Sequence, residues 1–312
     1  MAMPARSFWI RAAVTGAVLA LLFWKIDGAG ALRALARLDP SYAVATLALL
    51  AVDRVVMVWR WIALLRATGQ RVATKSAVWI YLVSSFVGSF LPAGVGADVA
   101  RAYTLTQRTS DGGAAIASVA ADRVLGLMSI ILVGLVGAIT WEGTDRFPIV
   151  IAGALTALAG CVTLLWADAW ARSVIPTRLH PSLAVIRVFR YADALAAYRG
   201  HRGTLALVLA LSIGVQLLRI AQAYLLGRGI DIDVPFDYYL VFMPIGLIGL
   251  LLPISISGFG APQGLIVWLL LPAGVPEASA LALSTLIVLT GIIGNVPGAL
   301  LYLRTREQRT HR

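Results

Sequence analysis

Six ionisable side chains lie inside stretches that are otherwise oily: Asp53, Arg54 and Arg60 in residues 41–65, Asp122 and Arg123 in 114–140, and Arg219 in 204–228, with Gln216 one turn before it. A charge near a bilayer centre costs roughly 2.5–3.5 kcal/mol. These groups must therefore face a protein interior and be paired or wet. Neighbours on a helix point apart, so Asp53 is not expected to satisfy Arg54, nor Asp122 Arg123. Cross-pairing between helices is the economical solution: Asp53 with Arg123, and Arg54 or Arg60 with Asp122. Four arginines then face two aspartates. Either such pairs only lock the helices together, or the spare guanidinium groups bind an anionic group moving through the protein. Snorkelling of Arg60 and Arg123 to an interface would weaken the second reading.

A second constellation lies in "SSFVGSFLPAGVGADVARAY", Ser84 to Tyr103. Pro92 ends an apolar arm, and Gly94 and Gly96 let the backbone turn and approach another group closely. "ADVARAYTLTQ" predicts a new helix with Asp98 and Arg101 in its first turns. A helix start presents free N–H groups and partial positive charge, and an arginine fork suits phosphate oxygens. Together they make a phosphate clamp. Asp98 departs from a pure anion site; it caps the helix, holds Arg101 or carries a proton. Pro253, Gly258, Gly260 and Gln263 occupy the corresponding place in a second broken stretch. Enzyme chemistry finds little support. There is no P-loop, no His-Glu-x-x-His and no credible triad. The single Cys161 and the separated His180, His201 and His311 leave no disulfide framework and no paired-histidine metal spacing. No metal, no cofactor and no catalytic residue is expected.

The elements that must position these groups are membrane helices. The 312 residues are 60% hydrophobic and 13% charged, with mean hydropathy +0.86, against about 45–50% and 25% in a soluble domain. A bilayer core needs about 20 apolar residues per helix, and 8–26, 41–65, 114–140, 148–168, 204–228 and 279–303 qualify. Residues 77–92 are short and end at Leu91-Pro92, whereas 237–271 are broken by Pro244, Pro253, Gly258, Gly260 and Pro262. Broken backbone at membrane depth is tolerated only inside protein or beside a wet cavity. The fold expected is all-α: a polytopic membrane bundle of about six full spans plus two re-entrant broken-helix hairpins. With both hairpins re-entrant, 17 of the 26 Lys and Arg fall on one side and five on the other. That bias places the N- and C-termini in the cytoplasm, the protein in the inner membrane. It also explains the net charge of +11 without invoking nucleic acid.

The elements starting near 41, 77 and 114 match those starting near 204, 237 and 279. "YLV…FLPAGVGADVAR" from Tyr81 stands against "YLV…LLPISISGFGAPQG" from Tyr239. The single transmembrane domain, 1–312, is thereby read as two halves, about 1–141 and 148–303. Three crossings per half invert the second copy, which is the plan of many transporters. A chance recurrence of Leu-Pro and Gly-rich turns is the alternative. The basic loop 169–203 contains "SLAVIRVFRYADALAAYRG", with an apolar face of Leu183, Ile186 and Leu195 and basic positions Arg187 and Arg190. It reads as a helix lying on the cytoplasmic surface, either recruiting headgroups or serving as a solvated linker. The N-terminal run ends in Phe23-Trp24-Lys25, a poor lead into a cleavage site, and is read as an uncleaved anchor.

"FLPAGVGADVARAY", "ASVAADRVLGL" and "LLPISISGFGAPQG" resemble the membrane region shared by lysyl-phosphatidylglycerol synthases and free-standing flippase-like proteins. That pattern has a Leu-Pro, a Gly-Gly-Asp/Glu-x-x-Arg, a later Asp-Arg, and a late Pro-x-x-x-Gly-Gly-x-Gly-x-x-Glu. Asp98, Arg101, Asp122 and Arg123 match it. Gln263 stands where an acid is usual and Ser257-Gly258 replaces Gly-Gly, which puts proton coupling through that position in doubt. The resemblance implies a domain that moves amphiphilic lipids between leaflets, such as aminoacylated phosphatidylglycerol or polyprenyl-phosphate carriers. The 312 residues are taken up by the membrane region, so no aminoacyl-transferase domain is expected and this chain is not expected to make the lipid. The partners implied are lipids with anionic headgroups. A second copy of the chain or a lipid-synthesising enzyme is left open as a partner. The competing functions are an accessory subunit that presents lipid to an enzyme, and a lipid-linked group transferase using Asp98 or Asp122 as base.

Overall fold

The computed structural model describes residues 33, 35–89, 96–109, 111–140, 148–164, 166–175, 183–251 and 260–310. Every regular element among them is helical. Helices α1 (Pro40–Ala67), α2 (Thr74–Gly88), α3 (Gly96–Thr106) and α4 (Gly112–Thr140) are followed by α5 (Pro148–Leu164), α6 (Ala167–Val174) and α7 (Leu183–Ala196). Then come α8 (Arg202–Gly229), α9 (Phe236–Leu251), α10 (Ala261–Leu270), α11 (Glu277–Ile293) and α12 (Val296–Thr310).

Among the described residues four helices are long and apolar enough to cross a membrane: α1, α4, α8 and the path Glu277–Arg304 through α11 and α12. At 28 or 29 residues each is about 42 Å long, more than a hydrocarbon core of about 30 Å requires. The chain is a multi-pass membrane protein. Its outer surface agrees, since Val44, Val55, Trp59 and Trp268 are large, apolar and exposed, as lipid contact demands. The expected span 8–26 lies outside the described residues. The expected span 148–168 stops at Leu164, and α6 continues at 90° to it.

Local chemistry sets the helix ends. Asp39 Oδ1 accepts the Ser41 N–H at 2.8 Å, and Pro40 supplies a preset φ at the first turn of α1. Gly69, at φ +72°, ends that helix while Gln70 N–H donates to Leu65 O. Asp111 Oδ1 accepts the Gly113 and Ala114 N–H groups and starts α4.

The short helices pack as antiparallel pairs. Gly88 at the end of α2 lies against the backbone of Ala97 at the start of α3, and Arg108 beyond α3 returns to the Trp79 ring near the start of α2. In α9 and α10, Gly249 lies against Leu265 and Gly246 against Ile266. The connections, with Pro92, Gly94, Pro253 and Gly258, lie outside the described residues; Gly96 opens α3 and Gly260 precedes α10 with φ +93°.

The order long, short, short, long occurs twice. Pro40, Thr74, Gly96 and Gly112 start the first set and Arg202, Phe236, Ala261 and Glu277 the second, offsets of 162, 162, 165 and 165 residues. The sets pack crosswise. Leu82 of α2 lies against Gly298 of α12, and Pro244 of α9 lies against Gly134 of α4. At both places a glycine admits a neighbouring helix that a side chain would hold off. The leading helices α1 and α8 are antiparallel: Asp39 N–H donates to Gly229 O at one end, and Arg60 of α1 meets Ser212 of α8 nearer the other. The main apolar core is built from α8 to α11, with Ile220, Tyr239, Phe242 and Leu283 buried at its centre.

The loop helix α7 forms, and its expected apolar face divides, with Leu195 packed inward and Ile186 turned outward. Ile186 is 42% exposed, whereas Ala192, Leu195 and Ala196 are buried and Leu195 packs with Leu64, Ala117 and Ala121. The side chain of Leu183 lies outside the described residues. Small alanines let α7 approach α4 closely, and Tyr198 O–H anchors the segment on Leu64 O at 3.2 Å.

Candidate functional site

The two leading helices and the first hairpin enclose a polar cluster. Asp53 and Arg60 are seven residues apart on α1, which returns them to nearly the same face. Ser212 and Arg219 stand in the same relation on α8. Since α1 and α8 are antiparallel, they meet in two rungs. Arg219 Nε donates to Asp53 Oδ1 at 3.0 Å, and Arg60 Nη1 donates to Ser212 Oγ at 2.9 Å. Arg60 Nε also donates to Asp122 Oδ1 of α4 at 2.8 Å.

Helix α3 completes the second rung. Arg101 Nη2 donates to Asp98 Oδ1 at 2.7 Å, an i,i+3 pair on one helix face. Its Nη1 lies 3.1 Å from Asp122 Oδ2, an ion pair in which the N–H is not aimed at the oxygen. Arg101 also lies over the Trp61 and Tyr81 rings, at 5.2 and 4.8 Å. Arg123 Nε lies 3.3 Å from Asp98 Oδ2.

These contacts correct the pairing expected from sequence. Asp122 does take Arg60, but Asp53 takes Arg219 rather than Arg123. Arg123 goes instead to Asp98, which α3 delivers by folding back along α2. Asp53 and Arg54 are not fully apart either: Arg54 Nε is 3.7 Å from Asp53 Oδ2, too far for a hydrogen bond but close enough for charge attraction. Arg60 does not snorkel; it is buried.

Beside the cluster is a cavity of about 380 Å³, within the range of ligand pockets. Arg54, Arg60, Arg101, Arg123 and Arg219 all line it, with Asp98, Asp122 and Gln216. Gly88, Gly96 and Ala97 of the first hairpin form one wall; Gly291 and Asn295 of the last span form another. Asp53 stands behind the wall, and Gln263 is elsewhere: its Oε1 accepts the Gly260 N–H and its Nε2 donates to Thr285 Oγ1. Counting Asp53, five guanidinium groups face three carboxylates.

The arginines are not equivalent. Arg60 and Arg101 expose only 4% and 7% of their side-chain surface, whereas Arg54, Arg219 and Arg123 expose 20%, 27% and 35%. The first two hold carboxylates in place; the other three are half-buried and line the cavity. Ser212, Trp61, Tyr81 and Asn295 escaped the sequence argument. The matching seven-residue spacings on α1 and α8 were a usable signal for Ser212. Asn295, whose Nδ2 donates to Ser89 Oγ at 2.7 Å, sits in the Gly294-Asn295 break between α11 and α12, and that break was a signal too.

Comparison with family models matches residues 8–298 to the lysylphosphatidylglycerol synthase TM region. Comparison with curated proteins finds no match.

Proposed function

The chain belongs to the family of the lysylphosphatidylglycerol synthase transmembrane region, and from that premise we propose that it carries lipids with anionic, phosphate-bearing headgroups between the two leaflets. The observation that carries this reading is the excess of guanidinium over carboxylate groups, five to three, around a cavity of about 380 Å³. Helices held together by ion pairs alone need no excess and no cavity. An anionic headgroup supplies the missing charge, while its tails remain in the surrounding bilayer.

In this mechanism Arg123, Arg54 and Arg219 touch phosphate oxygens, as their exposed surface allows. Arg101 fixes Asp98, which orients Arg123, and Arg60 and Arg101 hold Asp122; Asp53 orients Arg219 and lies beside Arg54. The two antiparallel pairs, α2–α3 and α9–α10, act as re-entrant hairpins of an inverted repeat, and rocking of one half against the other exposes the cavity to alternate faces. The four recurring helices and their crosswise glycine contacts support that arrangement. The side bearing Arg71, Arg108 and α7 is cytoplasmic, and the protein sits in the inner membrane.

No chemical change of the lipid is part of this proposal. Both oxygens of Asp122 face guanidinium groups, and so do both of Asp98, which suits neither to be a base. Purified protein in vesicles with fluorescent phosphatidylglycerol tests the reading. Leaflet exchange of unaltered lipid supports it. A modified lipid would instead indicate a group transferase, and exchange only after a second protein is added would indicate a lipid-presenting subunit.

A further inference from the structure

The excess positive charge in the cavity is divided between two places. The Asp53–Arg219 and Arg60–Ser212 rungs are seven residues apart on both helices, so about 10 Å separates them along the axis. Around the second rung gather Arg60, Arg101 and Arg123 with Asp98 and Asp122. Around the first gather Arg54 and Arg219 with Asp53 alone. Each group is one carboxylate short. Met57, Leu127 and Ile130 also line the cavity, and a single phosphate, only a few ångströms across, does not span the gap.

The Asp53 group has the marks of an unfilled site. Arg54 Nε is buried with no hydrogen-bond acceptor, its nearest carboxylate oxygen, Asp53 Oδ2, standing 3.7 Å away. Arg54 lies against Gly294, where any side chain would collide with its guanidinium. Gln216 stands between the rungs, four residues after Ser212 and three before Arg219. Asp53 and Arg54 are at the middle of the 28-residue α1, whereas Arg60 is nearer the end that leads into the basic Arg66–Lys75 connection.

We propose that Arg54 and Arg219 form a second anion subsite, at mid-membrane depth, which receives the lipid phosphate after it leaves the subsite at Arg123. This rests on the translocation reading above and deepens it: the headgroup advances by one step of about 10 Å between two subsites. Two moderate sites favour passage over one deep site, because a group must bind well enough to enter yet weakly enough to leave.

The test uses two measurements on the full chain. Titration calorimetry of the detergent-solubilised protein with glycerol 3-phosphate, a headgroup without tails, counts sites. Two molecules per chain are expected. The Asp53→Asn/Arg54→Gln/Arg219→Gln variant, which removes the buried carboxylate with its partners, should bind one. Arg54→Gln, which keeps the Asp53–Arg219 pair, should weaken the second site about tenfold. One molecule for the unaltered protein, or two for the triple variant, overturns the subsite. Leaflet exchange of fluorescent phosphatidylglycerol in vesicles then tests the order of steps. The triple variant should keep the first binding event and lose at least about tenfold in exchange. Unchanged exchange overturns the relay. Two bound molecules without any exchange by the unaltered protein would leave the subsite standing and refute translocation.

Discussion

Replacing Arg123 and Arg101, one at a time, by glutamine separates transport from folding. Arg123 exposes 35% of its side chain and has one carboxylate at 3.3 Å. Screened pairs of that kind contribute about 0–1 kcal/mol, so Arg123→Gln should unfold within about 1 kcal/mol of the parent protein. A hydrogen bond from a charged group to phosphate contributes about 1.5–3 kcal/mol. Its loss should slow exchange by roughly 10- to 150-fold, at about 1.4 kcal/mol per factor of ten. Arg101 should behave in the opposite way. It is 7% exposed, bridges Asp98 and Asp122 and lies over two aromatic rings. Breaking a buried pair from one side costs about 3–5 kcal/mol, so Arg101→Gln should first be seen as lost stability. The assays are thermal unfolding in detergent and exchange in vesicles. A stable Arg123→Gln protein with full exchange, or an Arg101→Gln protein of undiminished stability, would refute the reasoning.

Three further outcomes are expected. Gly88→Val forces a side chain into the Ala97 backbone and should cost about 1–3 kcal/mol by overpacking; an unchanged unfolding temperature would contradict the hairpin contact. In a Cys161→Ala background, Arg71→Cys and Asp233→Cys should be labelled by impermeant thiol reagents from opposite faces of the membrane, and labelling from one face would exclude the inverted arrangement. Tyr198→Phe removes the hydrogen bond to Leu64 O and should cost about 1 kcal/mol without altering exchange; a large fall in exchange would mean that α7 belongs to the transport path.

The long helices were legible because length and hydropathy alone decide them. The stretches 41–65, 114–140, 204–228 and 279–303 became Pro40–Ala67, Gly112–Thr140, Arg202–Gly229 and Glu277–Arg304. The Asp98–Arg101 contact was legible as well, because i,i+3 spacing on one helix is local information. The partners of Arg123 and Asp53 were not. They depend on where α3 lands after folding back along α2, and on the antiparallel register of α1 and α8. The apolar face of α7 was legible only as a set. Leu195 packs on α4 beside the small Ala192 and Ala196, whereas Ile186 turns outward, and periodicity alone does not divide an apolar face between protein and lipid.

A structure of the protein in lipid nanodiscs containing phosphatidylglycerol tests the central claim most directly. Phosphate density inside the cavity, within hydrogen-bond reach of Arg123 or of Arg54 and Arg219, is the result expected. Headgroups confined to the two bilayer surfaces, with lipid tails or ordered water alone against those guanidinium groups, would contradict it.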